Sequence, residues 1–233
     1  MPWFSPSVES VERRIASAWR RGDTEAQDRI AANFARRRPD EPRAWAIWAN
    51  ARLKARDNAG AEAVLRDGLN LHPSADPDLG WLLAKALAGQ GREEEARRVL
   101  EEQTRLFPDS RLPYLGLLEL AVDRGDWEEA VRLADETAAR TDDADYAGKH
   151  ELAYQLIHIP TRREEGVSLL RQVAPALRDP GPGLLMLGTV LEKAGDPEGA
   201  RFIAQARKAW NAPVPFEDAL AERRAYVESL LPG

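Results

Sequence analysis

The chain has no cysteine and only three histidines, His72, His150 and His158, among 233 residues. Lack of thiols excludes disulfides, thiolate metal sites and cysteine nucleophiles, although it leaves the cellular compartment open. Lysine is also scarce, with five against twenty-eight arginines, and the 39 acidic residues outnumber the 33 basic ones for a net charge of −6. A pI near 5.3 argues against a general binder of phosphate backbones, so no nucleic-acid partner is expected. The densest basic run, Arg36 to Arg38, reads as the end of a helix, where cations offset exposed carbonyls. No run of 18 apolar residues occurs, and the N-terminus lacks a basic region followed by an apolar stretch. Neither a membrane span nor a signal peptide is therefore expected, and cytoplasmic residence is the default.

Motifs that would carry catalysis are missing as well. His150 to Tyr154 (HELAY) begins like a zinc-protease helix, but Tyr154 stands where the second imidazole is required. The segment GPGLLMLG lacks the spacing of a dinucleotide loop and follows no strand-like run, and there is no P-loop or nucleophile elbow. Glu93 to Glu95 and the pair Asp142 and Asp143 read as solvated charge at helix starts and turns. The expectation is a non-enzymatic protein with no catalytic residue, no metal site and no cofactor.

What the chain does contain is an internal repeat of about 34 residues. Anchored on the alanine of GREEEA, equivalent positions are Gln27, Ala61, Ala96, Ala130, Gly166 and Ala200. Each unit carries two runs with apolar residues three and four apart, such as Leu79, Leu82, Leu83, Ala86 and Leu87, then Ala96, Val99, Leu100 and Phe107. Thr24 to Gln27 and Thr161 to Glu164 read as capping boxes, and Asp196 followed by Pro197 as N-cap and first helical residue. No segment alternates with period two over a strand length, so the fold is all-α. Repeats of this kind form a stacked array in which neighbours bury one another's apolar faces. Near the C-terminus, Phe216, Leu220, Val227 and Leu230 share one face of a helix suited to closing the stack.

Further marks recur in phase. Five residues before the anchor stand Gly22, Arg56, Gly91, Gly125, Thr161 and Gly195. Twelve before it, the small residues Ala49, Ala84 and Gly188 fit a close approach of paired helices, whereas Ile15, Leu118 and Tyr154 do not. Twelve after it stand Pro39, Pro73 and Pro108. These marks resemble the tetratricopeptide repeat family and cover nearly the whole chain. The resemblance implies a right-handed α-solenoid of about six antiparallel helix pairs in one domain. Its parts are a tail at 1–7, repeats at 8–41, 42–76, 77–110, 111–146, 147–180 and 181–214, and a capping helix at 215–233.

In that family the first helix of each pair lines a concave groove. Carried over by position, one groove row holds Glu12, Ala46, Trp81, Leu115, Glu151 and Leu185, and the next holds Ala16, Asn50, Lys85, Glu119, Gln155 and Thr189. Leu112, Trp19 and His158 fall on neighbouring rows. The expected contact set is Asn50, Trp81, Lys85, Leu112, Leu115, Glu119, Gln155 and His158. One residue of register would instead turn Trp81 toward the neighbouring helix. Trp45, Trp48 and Trp127 fall at positions for packing between helices, and Trp210 under the closing helix. A carboxylate clamp is disfavoured, because beside Asn50 the basic groove positions read Ala46, Leu112 and Gly116. The reading is a scaffold or adaptor that holds a peptide or partner helix in its groove. The alternative is a self-associating homo-oligomer joined through the aromatic N-terminal tail or an exposed end of the stack.

Overall fold

The structure is a computed structural model that describes residues 7–73 and 76–231. Among the described residues the chain is all-helical, with thirteen α-helices, one short 3-10 turn and no strand. The helices are α1 (Val8–Arg20), α2 (Thr24–Arg37), α3 (Pro42–Lys54), α4 (Asn58–Leu71), α5 (Pro77–Ala88), α6 (Glu93–Leu106) and α7 (Arg111–Arg124). They continue with α8 (Trp127–Ala139), α9 (Tyr146–His158), α10 (Arg163–Val173), α11 (Gly181–Lys193), α12 (Glu198–Ala209) and α13 (Phe216–Leu230). The arrangement is an α-solenoid of helical hairpins. The chain divides into two compact units, 1–120 and 121–233, and the dividing point in the sequence falls within α7. The aromatic tail lies, apart from Ser7, outside the described residues.

The turns explain why the hairpins form. Gly22, Gly91, Gly125 and Gly195 have φ between 68° and 75°, the left-handed region that stops a helix, and Arg56 takes φ 60° in the equivalent place. An aspartate then opens the next helix. Asp23, Asp57 and Asp126 accept hydrogen bonds from the amides of Ala26, Gly60 and Glu129, at 2.9, 2.9 and 3.2 Å. The cap of α2 is thus Asp23, not the expected Thr24, because the Asp23 carboxylate takes the Ala26 amide one residue ahead of the helix. Thr161 caps nothing either, since α10 starts two residues later at Arg163 without a side-chain cap. Likewise Asp196 accepts from the Glu198 amide at 2.9 Å, and α12 begins at Glu198, one residue past the expected Pro197.

In the first unit, α1 with α2, α3 with α4 and α5 with α6 form hairpins, and α3 also touches α5. Ala49 and Ala84 are buried where the helices approach. Bonds that recur at about the repeat spacing join successive hairpins. Glu62 receives Gln90 and Arg92 at 2.9 and 2.6 Å, and Asn58 donates to the Gly89 carbonyl at 2.8 Å. The Pro39 carbonyl accepts from both Trp45 and His72, at 3.1 and 2.7 Å.

In the second unit, α9 with α10 and α11 with α12 form the tightest pairs, and α13 lies against α11. Leu187, Leu170, Ile157 and Val227 are all at most 1% exposed in its core. Two alignments shift by one residue. A Cβ at Gly166 would come 2.8 Å from the Ala153 carbonyl, so the small residue of this hairpin is Ala153 and not Tyr154. A Cβ at Gly199 would come 2.6 Å from the Glu192 amide nitrogen, while Ala200 is exposed, so the anchor of the last hairpin is Gly199.

Candidate functional site

Four helical residues turn the chain through about 400°, so positions four apart on one face are rotated by about 40°. That rotation separates the two expected groove rows. In the inner row Ala46, Leu115 and Leu185 are buried, at 7, 0 and 2% exposure. In the outer row of the first unit Ala16, Asn50 and Lys85 are exposed and Glu119 is half-buried. Leu115 is therefore core and cannot touch a partner, which corrects its expected role. Its side chain points between the helices because it lies on the inner row.

Trp81, on the inner row, is half-buried, and α7 presents Gly116 beside it. A Cβ on Gly116 would come 3.1 Å from Trp81 Cδ1 and 2.6 Å from Leu100 Cδ2. The missing side chain lets the indole lie against the α7 backbone with Nε1 buried and without a hydrogen-bond partner among the described residues. One turn on, Lys85 places its Nζ 4.7 Å from the indole centroid. The same ammonium reaches Glu119 Oε1 at 3.3 Å, one repeat away. Leu112 is half-buried at the start of α7. Trp81, Lys85, Leu112 and Glu119 thus come together on α5 and α7, with Asn50 exposed on α3. A similar tie joins α1 and α3, where Arg43 Nη2 meets Glu12 Oε1 at 2.7 Å and holds the Arg43 guanidinium above its ordinary pKa.

The residues carried over to the second unit fare differently. Gln155 is half-buried on α9, and Thr189 is fully enclosed with its hydroxyl donating to the Leu185 carbonyl at 2.9 Å. His158 is occupied by the chain itself. Its Nδ1 donates to the Tyr154 carbonyl at 2.7 Å, so its Nε2 accepts from the Tyr226 hydroxyl of α13. Tyr154 stacks on Tyr226 at 6.4 Å, and Arg223 donates to the Tyr154 hydroxyl at 3.3 Å. The expected partner contact at His158 is corrected accordingly: α13 covers it. Burial lowers the His158 and His150 pKa values, with Arg223 opposing protonation of both, and burial raises that of Tyr226. Ion pairs frame this helix, with Arg224 on Glu192 at 2.7 Å and Lys193 on Glu228 at 2.7 Å. Reading the sequence missed Arg223 and Tyr226; their spacing of about one turn on the closing helix was the available signal.

The other tryptophans divide as well. Trp45 is buried, Trp48 is half-buried with its Nε1 donating to Asp28 at 2.8 Å, and Trp210 meets Phe216 edge to face at 5.4 Å. Trp127 is 42% exposed, contrary to the expected packing role, because it is the first residue of α8 and precedes the buried face. Among the described residues there is no group of three side chains suited to a metal, and no helix is long and apolar enough to cross a membrane.

This geometry agrees with the family comparisons. One tetratricopeptide repeat family model matches residues 52–114 and a second matches 115–136. The chain carries tetratricopeptide repeats across residues 52–136. Two solved tetratricopeptide-type structures share its fold. Yeast Tom70 aligns with a TM-score of 0.64 at 14% identity over 94% of this chain and 46% of that one. A putative kinesin light chain from Podospora anserina, with nearly identical TPR-like repeats, aligns with a TM-score of 0.50 at 19% identity over 72% of this chain and 93% of that one. The chain spans about half the length of the Tom70 chain. No curated protein matches it. Tetratricopeptide repeat proteins are typically interaction scaffolds and generally non-catalytic.

Proposed function

We propose that the chain is a cytoplasmic, non-catalytic scaffold that binds a peptide or partner helix on the face formed by α3, α5 and α7 of its first unit. The observation that carries this reading is the half-exposed Trp81 indole, seated on Gly116 and topped by Lys85 at 4.7 Å. An aromatic anchor ringed by polar groups is what a binding hot spot needs. Leu112 extends the apolar strip, and Asn50, Lys85 and Glu119 supply hydrogen bonds to a peptide backbone or side chains. Gln155 belongs to the second unit, where α13 already occupies His158 in the manner of a bound helix.

A peptide-display selection on the wild-type protein tests the proposal. Peptides selected on wild type should lose about tenfold or more in affinity for Lys85→Glu and for Asn50→Ala, changes at exposed positions that leave the helices intact. Equal binding to wild type and both variants would remove the contact from this face. A mass that rises with concentration, with no peptide selected, would favour the self-associating alternative.

A further inference from the structure

The hairpin of α1 and α2 encloses a second feature, a cavity of about 330 Å³. Its base is closed by Val11 and Phe34, at 1 and 2% exposure, and half-buried Ile30 forms an apolar wall. Around the opening stand Arg14, Arg21, Arg29 and Arg37, all exposed. Asn33 joins them, and the one carboxylate in the lining, Asp23, is already committed to the Ala26 amide at 2.9 Å.

The state of these arginines differs from that of others in the molecule. Arg52 pairs with Asp28 and Asp57, Arg92 with Glu62 and Glu95, and Arg162 with Asp135 and Glu165. By contrast Arg14, Arg29 and Arg37 make no ion pair among the described residues, and Arg21 is steadied by the Ser17 carbonyl and hydroxyl at 3.0 and 2.8 Å. Residues 7–38 hold eight arginines against five acidic residues in a chain whose net charge is −6. Of these eight, Arg38 pairs with Asp40 and Glu41, while Arg14, Arg21, Arg29 and Arg37 stand around a hollow whose lining mixes apolar and polar side chains.

The geometry points to a second binding site here, one that takes an acidic peptide by inserting a bulky apolar side chain while flanking carboxylates meet the guanidinium forks. Arginine suits this task because its planar fork binds carboxylate in bidentate fashion and is weakly hydrated. The hollow is far larger than an inorganic anion and falls within the size range of pockets that bury organic groups. Few cations and an acidic whole chain fit poorly with a nucleic-acid backbone, which demands a continuous basic track. The six residues ahead of Ser7 carry no acidic side chain, so charge does not match them to the site.

The test is fluorescence anisotropy on the full chain with a labelled peptide in which one leucine is flanked by aspartate and glutamate. Saturable binding that weakens with added salt is expected, because exposed charge pairs are screened. Arg29→Glu combined with Arg37→Glu should weaken it about tenfold or more, while Arg98→Glu with Arg105→Glu on α6 should leave it unchanged. Replacing the probe's leucine with serine should also weaken binding. Lys85→Glu should not, which separates this site from the face on α3, α5 and α7. Absence of saturable binding, or equal binding by the Arg29 and Arg37 variant with an unaltered circular dichroism melt, would overturn the proposal. So would tighter binding of a single-stranded oligonucleotide or of phosphatidylserine vesicles. Binding that arises only after deletion of residues 1–6 would assign the cavity to that segment instead.

Discussion

The ammonium of Lys85 lies 4.7 Å from the centre of the Trp81 indole, one helical turn away on α5. It also reaches Glu119, so a single cation ties an aromatic surface to the next helix of the stack. The Lys85 side chain is 40% exposed, which limits what either contact contributes. Lys85→Met, which keeps the aliphatic stem, should therefore cost about 1 kcal/mol or less in a urea titration. A loss above about 2 kcal/mol would mean that Lys85 is a structural strut rather than a contact held ready for a partner.

The last hairpin offers a test of register. A Cβ at Gly199 would sit 2.6 Å from the Glu192 backbone nitrogen and 2.8 Å from the Gly188 carbonyl, neither of which is free to yield. Gly199→Ala should destabilise by about 1–3 kcal/mol, despite the better helix propensity of alanine. Ala200→Leu, on the exposed side, should change stability by no more than about 0.5 kcal/mol. The reverse order in thermal melts would restore Ala200 as the anchor.

Much of the architecture was legible because its signals are local and repeated. The helical periodicity and the phase of Gly22, Gly91, Gly125 and Gly195 lie within short windows, and each has a direct backbone cause in a left-handed turn. The face of a given side chain was less legible. Leu115 and Lys85 were both assigned to groove rows, yet a rotation of about 40° sends one into the core and leaves the other in solvent. In the α9–α10 hairpin the small residue facing Gly166 is Ala153, one position from the Tyr154 that the repeat spacing indicates. The cover on His158 comes from Tyr226, 68 residues away, and no periodic pattern encodes a contact of that range.

Arg56 holds the turn that glycine holds in four other hairpins, with φ 60°. A left-handed conformation costs an L-residue about 1–2 kcal/mol, while glycine loses more entropy on folding, by about 0.5–1 kcal/mol. Since the Arg56 side chain is exposed, Arg56→Gly should raise stability by about 0.5–1 kcal/mol. The mirror change Gly91→Arg should lower it by a similar amount. A destabilised Arg56→Gly variant would show that the arginine side chain contributes more than its backbone strain removes.

Acid should loosen the second unit through its two histidines. Burial lowers the pKa of both His150 and His158 from the ordinary 6.5, with Arg223 adding repulsion in each case. The unfolded chain takes up these protons as pH falls through about 6.5, while the folded chain resists, so the unfolded state binds more protons in that window. Stability contributed by the neutral imidazoles is thus fully present above the unfolded value and declines as pH falls toward the folded one. Carboxylates held below their ordinary range by arginine or lysine, such as Glu192 and Asp143, lose their contribution only at lower pH, so the two effects separate. Thermal melts from about pH 8 to about pH 5.5 should show a falling midpoint for wild type. His150→Gln combined with His158→Gln should flatten that slope, whatever its stability at the alkaline end. An unchanged slope would mean that the imidazoles are already open to solvent, and that α13 does not seal α9 as the Tyr226 contact requires.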